Sequence, residues 1–292
     1  MKKGTLPKKK VLDVESYYEG TRWDYRWVWG VRNTHALHFG YYDETATHHE
    51  AAVANMNRVM ADLIGIGAGC SVLDAGCGVG GSGIWLAENR GCSVVGITPV
   101  EAQVRDASFN AAKRGLGHRA VFLKADYTKA PFDDGAFDVV WALESVCHAE
   151  RKLDFYKEAY RLLRPGGRLV MTEYLRLERP FCEADELLLQ NWLRAWAIPD
   201  LDTPEEHRQH ANAAGFQNFA SQDITEHTQR SLRNIRDHCH RWLWAAKLLN
   251  KTGLVSDLQV ANVMGTLCQY DALQKGLWHY GLLSAQKGLP KT

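Results

Sequence analysis

The stretch from Ser71 to Gly83, SVLDAGCGVGGSG, constrains this chain more than any other. An apolar run ends in an acid at Asp74, then breaks into a loop with glycines at Gly76, Gly78, Gly80, Gly81 and Gly83. The pattern reads as a strand, a tight turn and a helix starting near Ser82. The chain reverses there with little steric room, and bare backbone lets a ligand come close. The helix that follows aims unpaired N–H groups and its positive dipole end at an anionic ligand group.

An alternation of strands and helices follows. Ser93–Thr98, Ala120–Asp126, Phe137–Leu143 and Arg168–Tyr174 are apolar runs expected as strands. Val100–Arg114 and Lys152–Leu163 carry helical spacing, the second closed by a turn at Arg164, Pro165, Gly166 and Gly167. Such alternation predicts a parallel sheet with helices on both faces, whose ligands sit beyond the carboxyl ends of the strands. Asp74, Thr98, Asp126, Glu144 and Glu173 fall at those ends. Beyond Glu173 the spacing predicts helices over 181–197, 203–214, 231–250 and 256–275, a strand over 216–223 and a final strand over 277–284. The expected division is an amino-terminal tail and aromatic lid over 1–57 and a main domain over 58–292, with a helical cap insert at about 176–276. The cap reads either as a lid over the pocket or as a dimerisation surface, so a homo-oligomer is among the expected assemblies.

With 35 Lys and Arg against 34 Asp and Glu, the charges nearly cancel. No global field favours nucleic acid or an anionic membrane, and the expected partner is a small molecule. Seven cysteines form no CxxC pair, which argues against a zinc site and a disulfide framework and for a reduced, cytoplasmic compartment. No apolar run is long enough to cross a bilayer, and the lysine-rich first ten residues read as a disordered tail. From Val11 to Asn57 the chain is dense in aromatic residues, with Arg22, Arg26, Arg32, His35 and His38 interleaved. This segment is expected to form short helices and loops packed over something, either as a satellite core or around a ligand.

The acid before the glycines in Asp74-Ala75-Gly76-Cys77-Gly78-Val79-Gly80 is wrong for a dehydrogenase, which wants its acid after the second strand. The loop resembles the first motif of class I S-adenosylmethionine-dependent methyltransferases. Lys124-Ala125-Asp126-Tyr127 with Ala130-Pro131-Phe132 is similar to that family's adenine-binding segment, and Leu163 to Gly167 to the turn before its fifth strand. Gly96-Ile97-Thr98-Pro99 with Gln103, Trp141 to Ala149, and Trp29-Gly30 with His38 to Tyr42 resemble the branch that methylates sterols at C-24, tocopherols and prenyl diphosphates. The resemblance implies an α/β fold, Rossmann-like and doubly wound, with a mainly parallel seven-stranded sheet, an amino-terminal helical lid and a helical cap inserted before the last strand.

The resemblance also implies roles. Gly76, Gly78 and Gly80 would face the methionine half of S-adenosylmethionine, with Asp74 beside its amino group. Asp126 and Tyr127 would meet the adenine, and Leu143 would line the same site. Thr98 stands where most relatives carry a ribose-binding acid, and Gln103 would share that contact. Methyl transfer to an isoprenoid alkene leaves a cation and then needs a base, for which Glu173 is the first candidate, while Glu144 and His148, four apart past the fourth strand, are expected to position the substrate. Tyr18, Arg22, Trp23, Arg26, His38 and Trp196 are the expected substrate-facing residues. Magnesium enters only if the substrate carries a diphosphate, and no dedicated metal site is expected. The alternatives are an O- or N-methyltransferase with His148 as base, and a cofactor-binding module without catalysis.

Overall fold

The computed structural model describes residues 14–28 and 38–290, with side chains described as far as Thr21 in the first of these segments. The strands are β1 (Ser71–Ala75), β2 (Ser93–Thr98), β3 (Ala120–Lys124), β4 (Phe137–Leu143), β5 (Leu163–Arg176), β6 (Phe216–Asp223) and β7 (Trp278–Lys287). They form one sheet in the order β3-β2-β1-β4-β5-β7-β6. The first five run parallel, and β7 lies antiparallel between β5 and β6. The expected Rossmann-like sheet is therefore the observed one.

Successive side chains of a strand point to opposite faces, and both faces are covered here, so β4 is buried along its whole length. Val72, Val139, Trp141 and Val170 pack with α2 (His49–Leu63), α3 (Gly81–Arg90) and α4 (Glu101–Lys113). Leu73, Val140, Ala142 and Met171 pack with α5 (Lys152–Leu162) and α7 (Pro204–Ala214). α2 begins at His49 and so crosses the expected boundary at residue 57. The turn expected at Arg164–Gly167 is absorbed into β5, where Gly166 has φ +77° and the pairing with β4 shifts register between Phe137 and Val139.

The cap is not one contiguous insert. α7 packs on α5 and β6 and belongs to the sheet layers, which splits the expected 176–276 segment in two. One piece is α6 (Glu183–Ala195); the other is the hairpin of α8 (Thr225–Lys251) and α9 (Asp257–Gln274), and α9 packs against both α6 and α8. α1 (Val14–Val28) rests on α9, where Tyr17 Oη donates to Asn262 Oδ1 at 2.8 Å. Among the described residues no helix is long and apolar enough to cross a membrane. The expected tail and the side chains of Arg22, Trp23 and Arg26 lie outside the described residues, as do Trp29, Arg32 and His35.

Candidate active site

A cavity of about 540 Å³ opens at the carboxyl ends of β1, β2 and β4, bounded on its far side by Val14, Glu15 and Tyr18 of α1. Its first wall is the glycine loop. Gly76 sits at φ +95°, and a Cβ there would lie 2.3 Å from the Ser145 Cβ, so only glycine passes. Gly78, Gly81 and Ser82 also line the cavity, with the first turn of α3. Gly80 does not. It caps α3 at φ +88°, and a Cβ would meet Phe122 and Ala107, so this glycine serves packing rather than ligand approach. Asp74 lines the cavity at 2% exposure, with Oδ2 lacking any partner. Burial pushes its carboxyl up to about 7, although the Gly83 N–H pulls it back. A buried carboxylate oxygen with no donor is the acceptor that a ligand's ammonium group needs.

Thr98 and Gln103 come together, with the threonine hydroxyl donating to Gln103 Oε1 at 2.6 Å and both residues lining the cavity. Asp126 lines it too. Its Oδ1 is taken by the Thr128 N–H and hydroxyl, each at 2.8 Å, which fixes the side chain while Oδ2 remains. Tyr127 donates to the Ser145 carbonyl at 3.0 Å and stands beside Leu143 on the cavity wall. A glycine turn, a buried acid with one unpartnered oxygen, a hydroxyl–amide pair and a fixed aspartate together fit the amino, ribose and adenine parts of S-adenosylmethionine.

The other wall is built from side chains at the end of β4. Glu144 takes a left-handed backbone, φ 51°, uncommon for a residue with a Cβ and typical of functional strain. Its Oε1 accepts from the Phe39 N–H at 2.8 Å and the Tyr280 hydroxyl at 2.6 Å, and its Oε2 accepts from the Tyr174 hydroxyl. Burial is the largest influence on this carboxyl and raises it to about 7, against the pull of those three donors. Tyr174 and Tyr280 are register partners on β5 and β7, so both hydroxyls reach the carboxylate from one side of the sheet. No sequence signal pairs those strands in advance.

Glu173 lies one residue before Tyr174 and so points to the opposite face. It does not line the cavity: its carboxylate accepts from the Val146 and Cys147 N–H groups at 2.7 and 3.1 Å. Burial lifts it to about 8. What it holds is the 3-10 turn Val146–His148, which presents His148 to the cavity. His148 Nδ1 faces the Ala197 carbonyl at 3.2 Å, so that nitrogen carries the proton. Nε2 then accepts from the Tyr18 hydroxyl at 3.1 Å. Burial lowers this imidazole to about 4 and keeps it neutral. His38 is similar: Nδ1 donates to the Phe39 carbonyl at 2.9 Å, Nε2 is buried without a partner, and the ring lines the cavity with its pKa lowered to about 4 by burial.

Trp196 is corrected from substrate contact to packing. Its Nε1 donates to the Asn262 carbonyl at 3.3 Å, and it joins Trp192, Trp278 and Tyr174 in a buried aromatic cluster behind Glu144. Among the described residues, Tyr18, Tyr127, His38 and His148 are the rings that line the cavity. No group of three or more His, Cys, Asp or Glu side chains among the described residues is arranged to hold a metal ion.

Residues 73–171 match the model of the methyltransferase domain family. The chain is 34% identical over 206 residues to the 27-O-demethylrifamycin SV methyltransferase of Amycolatopsis mediterranei, spanning 70% of this chain and 73% of that protein. It is 33% identical over 226 residues to a 24-methylenesterol C-methyltransferase of Arabidopsis thaliana, spanning 74% of this chain and 59% of that protein. Among solved structures, the cyclase SpnF superposes with a TM-score of 0.78 at 23% identity, over 94% of this chain and 95% of the other, a likeness of fold.

Proposed function

Because this chain belongs to the class I S-adenosylmethionine-dependent methyltransferases and a sterol C-methyltransferase is among the proteins it is similar to, we propose that it methylates an alkene carbon of an isoprenoid and that Glu144 removes the proton. The carrying observation is Glu144 itself, a cavity-facing carboxylate held by two tyrosine hydroxyls and a backbone N–H. Bound S-adenosylmethionine supplies a methyl group made electrophilic by its sulfonium. Asp74, Thr98, Gln103 and Asp126 would hold it at one wall of the cavity, and alignment of the acceptor against it accounts for about 7–11 kcal/mol of the barrier in well-oriented reactions. When the alkene carbon takes the methyl group, the neighbouring carbon is left electron-poor. Glu144 then accepts a proton from the adjacent carbon, and the double bond re-forms. A carboxyl raised to about 7 by burial is matched to that task at neutral pH.

The charges near the cavity bear on the acceptor. Glu15, Glu150 and Asp154 line it, while Arg151, the cavity's arginine among the described residues, already lies 3.6 Å from Asp154. This surrounding favours a neutral acceptor, a sterol or prenylated ring, over a prenyl diphosphate. The Tyr18–His148 pair supports a second reading, because a neutral imidazole with its lone pair toward a hydroxyl also suits deprotonation of a heteroatom nucleophile. Incubation with labelled cofactor and a panel of sterols, prenylated rings, prenyl diphosphates with magnesium, phenols and amines separates the readings. Label transferred only to oxygen or nitrogen sinks the first, and turnover only of diphosphates removes the neutral acceptor.

A further inference from the structure

The α8–α9 hairpin has an exposed apolar end outside the cavity. The last buried residue of α8 is Cys239 and the first of α9 is Gly265, so residues 240–264 bury nothing fully. Trp242 is 55% exposed, Trp244 67% and Leu254 76%, and Leu248 and Leu249 are exposed beside them. By helical spacing Trp244 and Leu248 share one side of α8 and Trp242 and Leu249 another, and exposed tryptophans and leucines concentrated at one helix end mark a surface that meets something apolar. The charges of this segment have one sign: Arg241, Lys247 and Lys251 lie within it, and no Asp or Glu occurs from 238 through 256. The flanking acids are occupied, Asp237 3.0 Å from Arg236 and Asp257 accepting from Asn250 at 2.9 Å.

We propose that this end of the hairpin docks on an anionic phospholipid surface. Tryptophan, leucine and basic side chains on one helical segment are the composition that lies in the headgroup region of such a bilayer, with aromatic rings at the interface and lysine and arginine toward the phosphates. A second copy of the chain fits less well, because a twofold contact would set the like charges of one hairpin against those of the other. The near-zero net charge of the whole chain hides this local excess. The hairpin also touches the wall of the cavity, since α9 supports α1 through Tyr17 and Asn262, and Tyr18 is the next residue. Delivery of an apolar acceptor from the bilayer by this route rests on the isoprenoid reading; the docking itself does not.

The test is flotation of the full chain with vesicles of phosphatidylcholine alone and of phosphatidylcholine with phosphatidylglycerol, at low and high salt. Binding is expected only to the anionic vesicles, weakened by salt, with tryptophan emission quenched by brominated lipid. Lys247→Gln and Lys251→Gln should each weaken it about fivefold, and the Trp242→Ser, Trp244→Ser double variant should remove the quenching, while calorimetry shows cofactor affinity retained in all. Absence of binding, equal binding to both vesicles, or a dimer that the tryptophan variants dissociate would overturn the proposal. Methyl transfer to a detergent-dispersed acceptor reports on the isoprenoid reading independently, so the two fail separately.

Discussion

At the β1–α3 end of the cavity the ligand meets backbone and polar groups placed by one turn, whereas past β4 it meets side chains delivered from separate elements. The first end is made by Gly76 and by Asp74, Thr98 and Asp126 at strand termini, in positions set by the turn itself. The second is made by Glu144, His148, His38 and Tyr18, delivered from β4, a 3-10 turn, α1 and the segment before α2. A shared cofactor wants the same rigid cradle in every relative. A variable acceptor wants walls that side-chain substitution can remodel.

The largest expected effect breaks the acceptor end while leaving the cofactor end intact. Glu144→Gln keeps the size of the side chain but removes the base, and kcat should fall about 10²–10⁴-fold with cofactor affinity by calorimetry unchanged. In the unaltered enzyme the carboxyl must be ionised to act, so kcat/KM should climb with pH to about 7 and level off above it. If His148 were the base, with its pKa near 4, the rate would be flat across that range. A profile without a limb near 7 removes Glu144 from the reaction.

The converse variant is Gly76→Ala. It sets a Cβ against Ser145 at a φ of +95°, a strain of order 1–3 kcal/mol, and should abolish measurable cofactor binding. Retained binding with normal affinity would mean that the loop yields more than its geometry suggests.

Glu173 sharpens the comparison, since it neighbours the acceptor end in sequence but serves architecture. Glu173→Ala leaves the Val146 and Cys147 N–H groups buried without an acceptor, a loss of about 1–3 kcal/mol for each, read as a lower Tm. The sign of its pH dependence follows from burial. Its carboxyl titrates near 4.5 in the unfolded chain and about 8 in the folded one, so its contribution is present below 4.5 and is lost as pH rises through 8. The variant should flatten that part of the stability profile, with residual activity still showing the limb near 7.

The sheet is legible in the chain because it depends on local pattern, apolar runs ending in acids, and the glycine turn with its acid in front is as local a signal. Thr98 and Gln103 meet because they are separated by one helical entry. The acceptor end depends on contacts distant in sequence, and there the reading was thinner. Glu173 is expected as a base because the apolar run predicts a strand ending at Tyr174, yet β5 continues to Arg176 and alternates its faces, and Tyr174 is the residue that reaches the cavity-facing carboxylate. Tyr280 enters only because β7 inserts antiparallel beside β5. Trp196 carried the aromatic character expected of a pocket wall but is spent on the cluster beneath it.

The smallest effect is expected at Tyr18 and His148. In carbon methylation the pair shapes the wall and takes no proton from the substrate, so Tyr18→Phe removes one partly buried hydrogen bond, worth about 0.5–1.5 kcal/mol. A change in kcat of only a few fold should result, and His148→Gln should behave alike because Glu144 remains. The two readings of the function diverge most here. If a heteroatom is the nucleophile, His148 takes its proton and His148→Gln should instead cost about 10²–10⁴-fold, while Glu144→Gln is mild. Steady-state rates of these two variants, on whichever acceptor the panel identifies, assign the base by their order alone.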